Sequence, residues 1–128
     1  MKNILYLLLA VSGLSCSQSA AVGQAKLGPN EFEALLAKDA TAQLVDVRTP
    51  EEYAAGHIEG ARLINIYDAD FTDQINKLDK AKPVMVYCAA GSRSGSAAKQ
   101  MSKMGFKKVY DLAGGMGAWR ASGKKTVQ

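Results

Sequence analysis

The chain is poor in the residues that metal frameworks need. Its 128 residues hold two cysteines, Cys16 and Cys88, and one histidine, His57. Those counts exclude the usual cysteine- and histidine-rich metal sites, so no metal is expected. An excess of one charge is also lacking: the formal net charge is +4, and most lysines scatter between positions 77 and 125 without interleaved aromatics. Such scatter reads as a solvated surface and argues against a nucleic-acid partner. No internal repeat or low-complexity tract is visible. The apolar run from Ile4 to Leu14, interrupted by Ser12 and Gly13, is too short to cross a bilayer as a helix.

That run follows Lys2, and residues 1–15 read as an export signal. Leu14-Ser15-Cys16 resembles the lipobox of bacterial lipoproteins, with Gly13 where those carry Leu or Val. The resemblance implies lipidation at Cys16 and membrane attachment through a lipid anchor. Cleavage after Ser19 or Ala21 is the alternative. Both outcomes place the protein outside the cytoplasm, as a periplasmic protein or a membrane-anchored lipoprotein. Residues 16–25 are small and polar and suit a flexible tether. Residues 26–123 then form one domain of about 100 residues, enough for a single core, with residues 124–128 as a tail.

Within the domain, strand and helix patterns alternate, which predicts an α/β fold of parallel strands joined by crossover helices. Asn30 to Glu33 has the form of a capping box before a helix to about Lys38. Gln43 to Val47 reads as a buried strand. Thr49-Pro50-Glu51-Glu52 starts a short helix, with Thr49 as N-cap, Pro50 at the first helical position and Glu52 closing the box. Arg62 to Ile66 is a further strand, and Phe71, Ile75 and Leu78 mark the inner face of a helix capped by Asp70. Pro83 to Tyr87 is the next strand. A helix bearing Ala97, Met101 and Met104 follows, stopped by Gly105. Lys108 to Leu112 is the last strand, and Ala113 to Gly117 turns into a brief helix carrying Trp119.

The segment that organises the rest is Cys88-Ala89-Ala90-Gly91-Ser92-Arg93, where a buried strand hands over to a helix. There the unpartnered N–H groups of the first helical turn point into one concavity, backed by the positive end of the helix dipole. A thiol at its mouth is expected to ionise below its free value of about 8.5. Arg93 adds a planar fork of donors suited to an oxyanion. A free cysteine also packs well as a small hydrophobe at a strand end. Gly91, the hydroxyls of Ser92 and Ser94, and an arginine awkward to bury without an anion favour the reactive reading.

In parallel α/β sheets, ligands bind at the carboxyl ends of the strands. Asp46 and Arg48 end one strand, Cys88 another, and Gly114 and Gly115 follow a third, so all three ends can converge. Asp46 and Arg48 are expected to support the site as an ion pair or cap network. His57, between Gly56 and Ile58, is expected to be structural. If Cys16 is lipidated or removed, Cys88 has no partner, and a reactive role is one explanation.

Four motifs carry a family resemblance: Asp46-Val47-Arg48-Thr49-Pro50-Glu51-Glu52-Tyr53, Gly56-His57-Ile58-Glu59-Gly60-Ala61, Cys88 through Ser94, and Gly114-Gly115-Met116-Gly117-Ala118-Trp119. Together they resemble a single-domain rhodanese, a thiosulfate sulfurtransferase-like protein, from about Lys26 to Gly123. The resemblance implies a three-layer α/β fold with a central parallel sheet flanked by helices. It implies Cys88 as a persulfide-bearing nucleophile, and Ala89, Ala90, Gly91, Ser92, Arg93 and Ser94 as the loop that binds the donor. The implied partners are a small sulfur anion such as thiosulfate and an acceptor that is cyanide, a small thiol or a protein thiol, with no cofactor. Two other readings stay open. A non-enzymatic module would relay sulfur or dock a partner. Phosphatase and arsenate-reductase relatives share the general plan, but their cysteine-to-arginine loop is typically one residue longer, whereas four residues separate Cys88 from Arg93 here.

Overall fold

A computed structural model describes residues 23–128, so the readings made for Cys16 and the export signal lie outside the described residues. Five strands, β1 (Gly23–Leu27), β2 (Gln43–Asp46), β3 (Arg62–Leu63), β4 (Val84–Tyr87) and β5 (Lys108–Leu112), form one sheet in the order β1-β5-β4-β2-β3. Every strand pairing in it is parallel. The helices are α1 (Pro29–Lys38), α2 (Pro50–Ala55), α3 (Phe71–Asn76), α4 (Ser92–Lys103) and α5 (Gly115–Ala121).

Because successive side chains of a strand leave on opposite faces, the central strands supply two cores. Val45, Val47, Val84, Val86 and Val109 pack with Phe71, Ile75, Ala97 and Met101 beneath α3 and α4. On the other face Leu44, Met85, Tyr87 and Leu112 meet Phe32, Met116 and Trp119 of α1 and α5. The fold is therefore the expected α/β sandwich of three layers, with β4 buried along its whole length.

Local chemistry explains most element ends. Thr49 Oγ1 accepts the Glu52 N–H while the Glu52 carboxylate accepts the Thr49 N–H, which completes the capping box of α2. At the end of α4, Gly105 takes φ +96° and Phe106 N–H returns to the Met101 carbonyl.

Elsewhere the structure departs from the expectations. The first helix begins at Pro29 with Gly28 as N-cap and no side-chain cap, because proline pre-sets the first helical φ. Asp70 stands at the N-cap of α3 without a capping bond; its carboxylate takes Gln74 Nε2 instead. The strand at Arg62 spans two residues, although Ile64 and Ile66 N–H groups still bond to the carbonyls of Asp46 and Val47.

Two boundaries move. Gly23 to Ala25, assigned to the tether, lie in β1 and pair with Lys108 to Tyr110 of β5. The tail is tied down as well: Val127 and His57 exchange backbone hydrogen bonds of 2.8 and 2.9 Å, and the Lys125 carbonyl accepts Trp119 Nε1–H.

Candidate active site

Cys88 follows the last residue of β4 and is 1% exposed. Its Sγ accepts hydrogen bonds from the Gly91 N–H at 3.0 Å and the Ser94 hydroxyl at 3.3 Å. The bend that makes this possible is at Gly91, whose φ of +111° lies in the left-handed region that favours glycine. Burial opposes ionisation of the thiol. The Ser94 hydroxyl and the N–H groups of Ser94, Gly91 and Ala90 outweigh it, and the pKa falls below its ordinary value. The sulfur is recessed while Ala90 and Ser92 on the rim are exposed.

The loop is braced from below by the end of β5. Met116 N–H donates to the Cys88 carbonyl at 2.9 Å and Gly117 N–H to the Ala89 carbonyl at 3.1 Å. This approach requires glycine at position 115, where φ is +55° and a Cβ would stand 2.7 Å from the Ala89 carbonyl carbon. The two strand ends thus converge as expected, and Gly114 to Trp119 acts as a brace.

The end of β2 contributes differently. Asp46 is fully buried and Arg48 is 3% exposed. Arg48 Nε donates to Asp46 Oδ1 at 2.9 Å and Nη2 to Oδ2 at 2.7 Å, while Nη2 also donates to the Gly56 carbonyl at 2.8 Å. This pair fastens the C-terminal end of α2 to the sheet. His57 stacks on Tyr53 with ring centroids 3.7 Å apart, and its Nδ1 lies 2.9 Å from the Tyr53 carbonyl. Its contacts are with α2 and the C-terminal segment, away from the Cys88 loop.

Arg93 is not a free cation. Glu52 accepts Nη1–H at 2.7 Å and Nη2–H at 2.9 Å from it, a bidentate pair at the edge of the site. Arg93 holds the Glu52 carboxyl far below its ordinary range, at about 2. Of the five N–H donors of a guanidinium, the pair leaves the others for an incoming anion. Sequence reasoning assigned Glu52 only to the capping box, and that box is the signal that could have placed it: a side chain fixed at the third position of a short helix has a defined direction in which to point.

Asp111 is the second residue that sequence reasoning missed. It sits on β5 among the apolar side chains that face α4, is 2% exposed, and has no hydrogen-bond partner on either carboxylate oxygen. A lone acid inside the run from Val109 to Leu112 was its signal.

The model of the rhodanese-like domain family matches residues 28–122. Among curated relatives, the thiosulfate sulfurtransferase GlpE of Pseudomonas putida is 41% identical over 95 residues, which is 73% of this chain and 84% of that one. The uncharacterized protein YqhL of Bacillus subtilis is 44% identical over 78 residues, 61% of this chain and 60% of that protein's length. Among solved structures, the rhodanese-related protein of Thermoplasma volcanium superimposes with a TM-score of 0.70 at 25% identity, covering 80% of this chain and 96% of that one.

Proposed function

The chain belongs to the rhodanese-like family, and from that premise we propose that it is a sulfurtransferase that carries a sulfane sulfur on Cys88. The observation that carries this reading is the Cys88 sulfur, which accepts from the Gly91 N–H and the Ser94 hydroxyl and is thereby biased towards the thiolate.

A thiolate so held attacks the outer sulfur of thiosulfate or a related donor. A bond forms between Sγ and that sulfur, the donor's S–S bond breaks, and the electron pair leaves with sulfite. The persulfide keeps one negative charge. The same N–H groups that favoured the thiolate are placed to stabilise it, as donors of an oxyanion hole do. An acceptor thiolate or cyanide then attacks the outer sulfur, and Cys88 departs as thiolate. Neither half-reaction needs a general base while Cys88 is ionised, and His57 is accordingly committed to Tyr53.

The exposed rim at Ala90 and Ser92 supports access by an acceptor as large as a protein thiol. The basic and apolar residues 1–15 support export, and Cys16 is the proposed lipid anchor; the mass of the mature N-terminus tests both.

The decisive experiment is transfer of sulfur from thiosulfate to cyanide by the reduced full chain, with intact-mass detection of the loaded enzyme. The expected result is turnover with an adduct of about 32 Da, one sulfur, as a covalent intermediate requires, absent in Cys88→Ser. No adduct from several sulfane donors would overturn the reading in favour of a docking module or a phosphatase-like enzyme.

A further inference from the structure

Behind the nucleophile lies a charge that the sulfur-transfer reading does not use. Asp111 points from β5 towards the first turn of α4, where Gly95 has no side chain to keep it away: a Cβ at Gly95 would stand 3.7 Å from Asp111 Oδ2. On the same turn, the Ser94 hydroxyl donates towards Cys88 Sγ. The lone pairs of its oxygen are then available to accept. A buried, unpartnered carboxylate is expensive as an anion, and the acceptor side of Ser94 offers a neutral carboxyl somewhere to donate.

We propose that Asp111 and Cys88, bridged by the Ser94 hydroxyl, hold a single proton between them, so that Asp111 governs the ionisation of the nucleophile. This rests on the reading of Cys88 as the nucleophile and adds a positioning residue to it. With the proton on Asp111, the carboxyl O–H donates to Ser94 Oγ, Ser94 donates to Cys88 Sγ, and the sulfur is a thiolate. With the proton on Cys88, Asp111 is the anion. Transfer breaks one S–H bond and makes one carboxyl O–H bond through the serine oxygen, and no electrons leave the pair.

The surroundings favour the first arrangement. Burial pushes the Asp111 carboxyl above its ordinary value, against smaller opposing pulls from Ser94 and Lys26. Lys26 is the cross-strand neighbour of Asp111 on β1 and is itself exposed. On β4 the neighbour is the uncharged Val86. From α4 the nearby groups are Ser94 and Gly95, and the charge of Arg93 is turned to Glu52. The arrangement has a use when the acceptor is a neutral thiol. That thiol's proton ends on the departing Cys88 sulfur, which is almost sealed from water, and Asp111 can receive it to restore the thiolate.

The test is the pH dependence of Cys88 alkylation by iodoacetamide in the full chain, which needs no sulfur donor and so stands apart from the test of sulfur transfer. Groups coupled by more than about one unit titrate in two macroscopic steps. The wild type is expected to show two steps, and Asp111→Asn a single step at lower pH, with alkylation on the acid side about tenfold faster for a shift of about one unit. Superimposed profiles would overturn the proposal. A second measurement needs no variant: the infrared band of a buried protonated carboxyl in the wild type is expected to titrate at lower pH once Cys88 is alkylated. A band indifferent to alkylation would overturn it equally.

Discussion

Glu52 grips Arg93 through both carboxylate oxygens, at 2.7 and 2.9 Å, across 41 residues of chain. The pairing joins the capped start of α2 to the first turn of α4. It also sets the charge at the mouth of the site, since the arginine beside the nucleophile comes with a carboxylate attached. Glu52→Gln removes that negative charge and leaves an amide to hold the guanidinium. The KM for thiosulfate is expected to fall a few-fold, consistent with about 1 kcal/mol or less for a part-exposed pair, with kcat nearly unchanged. A rise in KM would mean that positioning Arg93 matters more than unmasking it.

The same pair makes a prediction about stability. The Glu52 carboxyl is lowered from 4.5 to about 2 in the folded chain. A depressed folded pKa contributes stability that is fully present above the unfolded value and is lost as pH falls from about 4.5 towards about 2. Thermal midpoints of wild type and Glu52→Gln should therefore differ most above pH 5 and converge below about pH 3. A difference that does not change with pH would show that the loss on substitution comes from packing or the capping box.

Ser94→Ala tests the thiolate directly. The hydroxyl is the strongest of the groups that favour ionised Cys88, and the Gly91 N–H remains when it is gone. A hydrogen bond to a charged group contributes about 1.5–3 kcal/mol, so alkylation on the acid side of the profile should slow by roughly tenfold or more. The maximal rate at high pH should be preserved. Unchanged ionisation would transfer the effect to the loop amides alone.

What could be read in advance divides along a physical line. The α2 start was legible because Thr49, Pro50 and Glu52 act within one turn, and the handover at Cys88 because a wholly apolar strand meets a glycine and two serines. Convergence of the strand ends followed from parallel topology alone. The Glu52–Arg93 pair was hidden because its partners meet only after folding. β1 was hidden because Gly23, Gln24 and Ala25 lie on an edge, with little apolar alternation to mark them. Their conformation is imposed by the β5 ladder, which is a tertiary effect.

That makes β1 a test of where the domain begins. A chain starting at Lys26 loses three of the five residues paired with β5, while one starting at Gly23 keeps them all. At about 1 kcal/mol for each hydrogen bond lost, the shorter chain should melt roughly 5–15 °C lower for a domain of this size. Equal midpoints would return Gly23 to Ala25 to the tether.

The most severe substitution is expected away from the sulfur, at Arg48. Its guanidinium neutralises a carboxylate with no access to water and also holds the Gly56 carbonyl at the end of α2, the helix that carries Glu52. Arg48→Met leaves Asp46 buried and uncompensated, a loss of about 3–5 kcal/mol. Because α2 is released as well, the variant should lose the KM dependence on Glu52 described above, even at temperatures where it stays folded. The double variant Asp46→Leu/Arg48→Met removes both charges and should recover much of the stability, since the penalty lies in the orphaned carboxylate more than in the lost pair. It should not recover the kinetic effect, because the Gly56 carbonyl still lacks its donor. If the double variant were as unstable as the single, the pair would be holding the fold by its hydrogen bonds to the backbone. Chemical denaturation of the three proteins, read beside their KM values for thiosulfate, separates the two roles of Arg48.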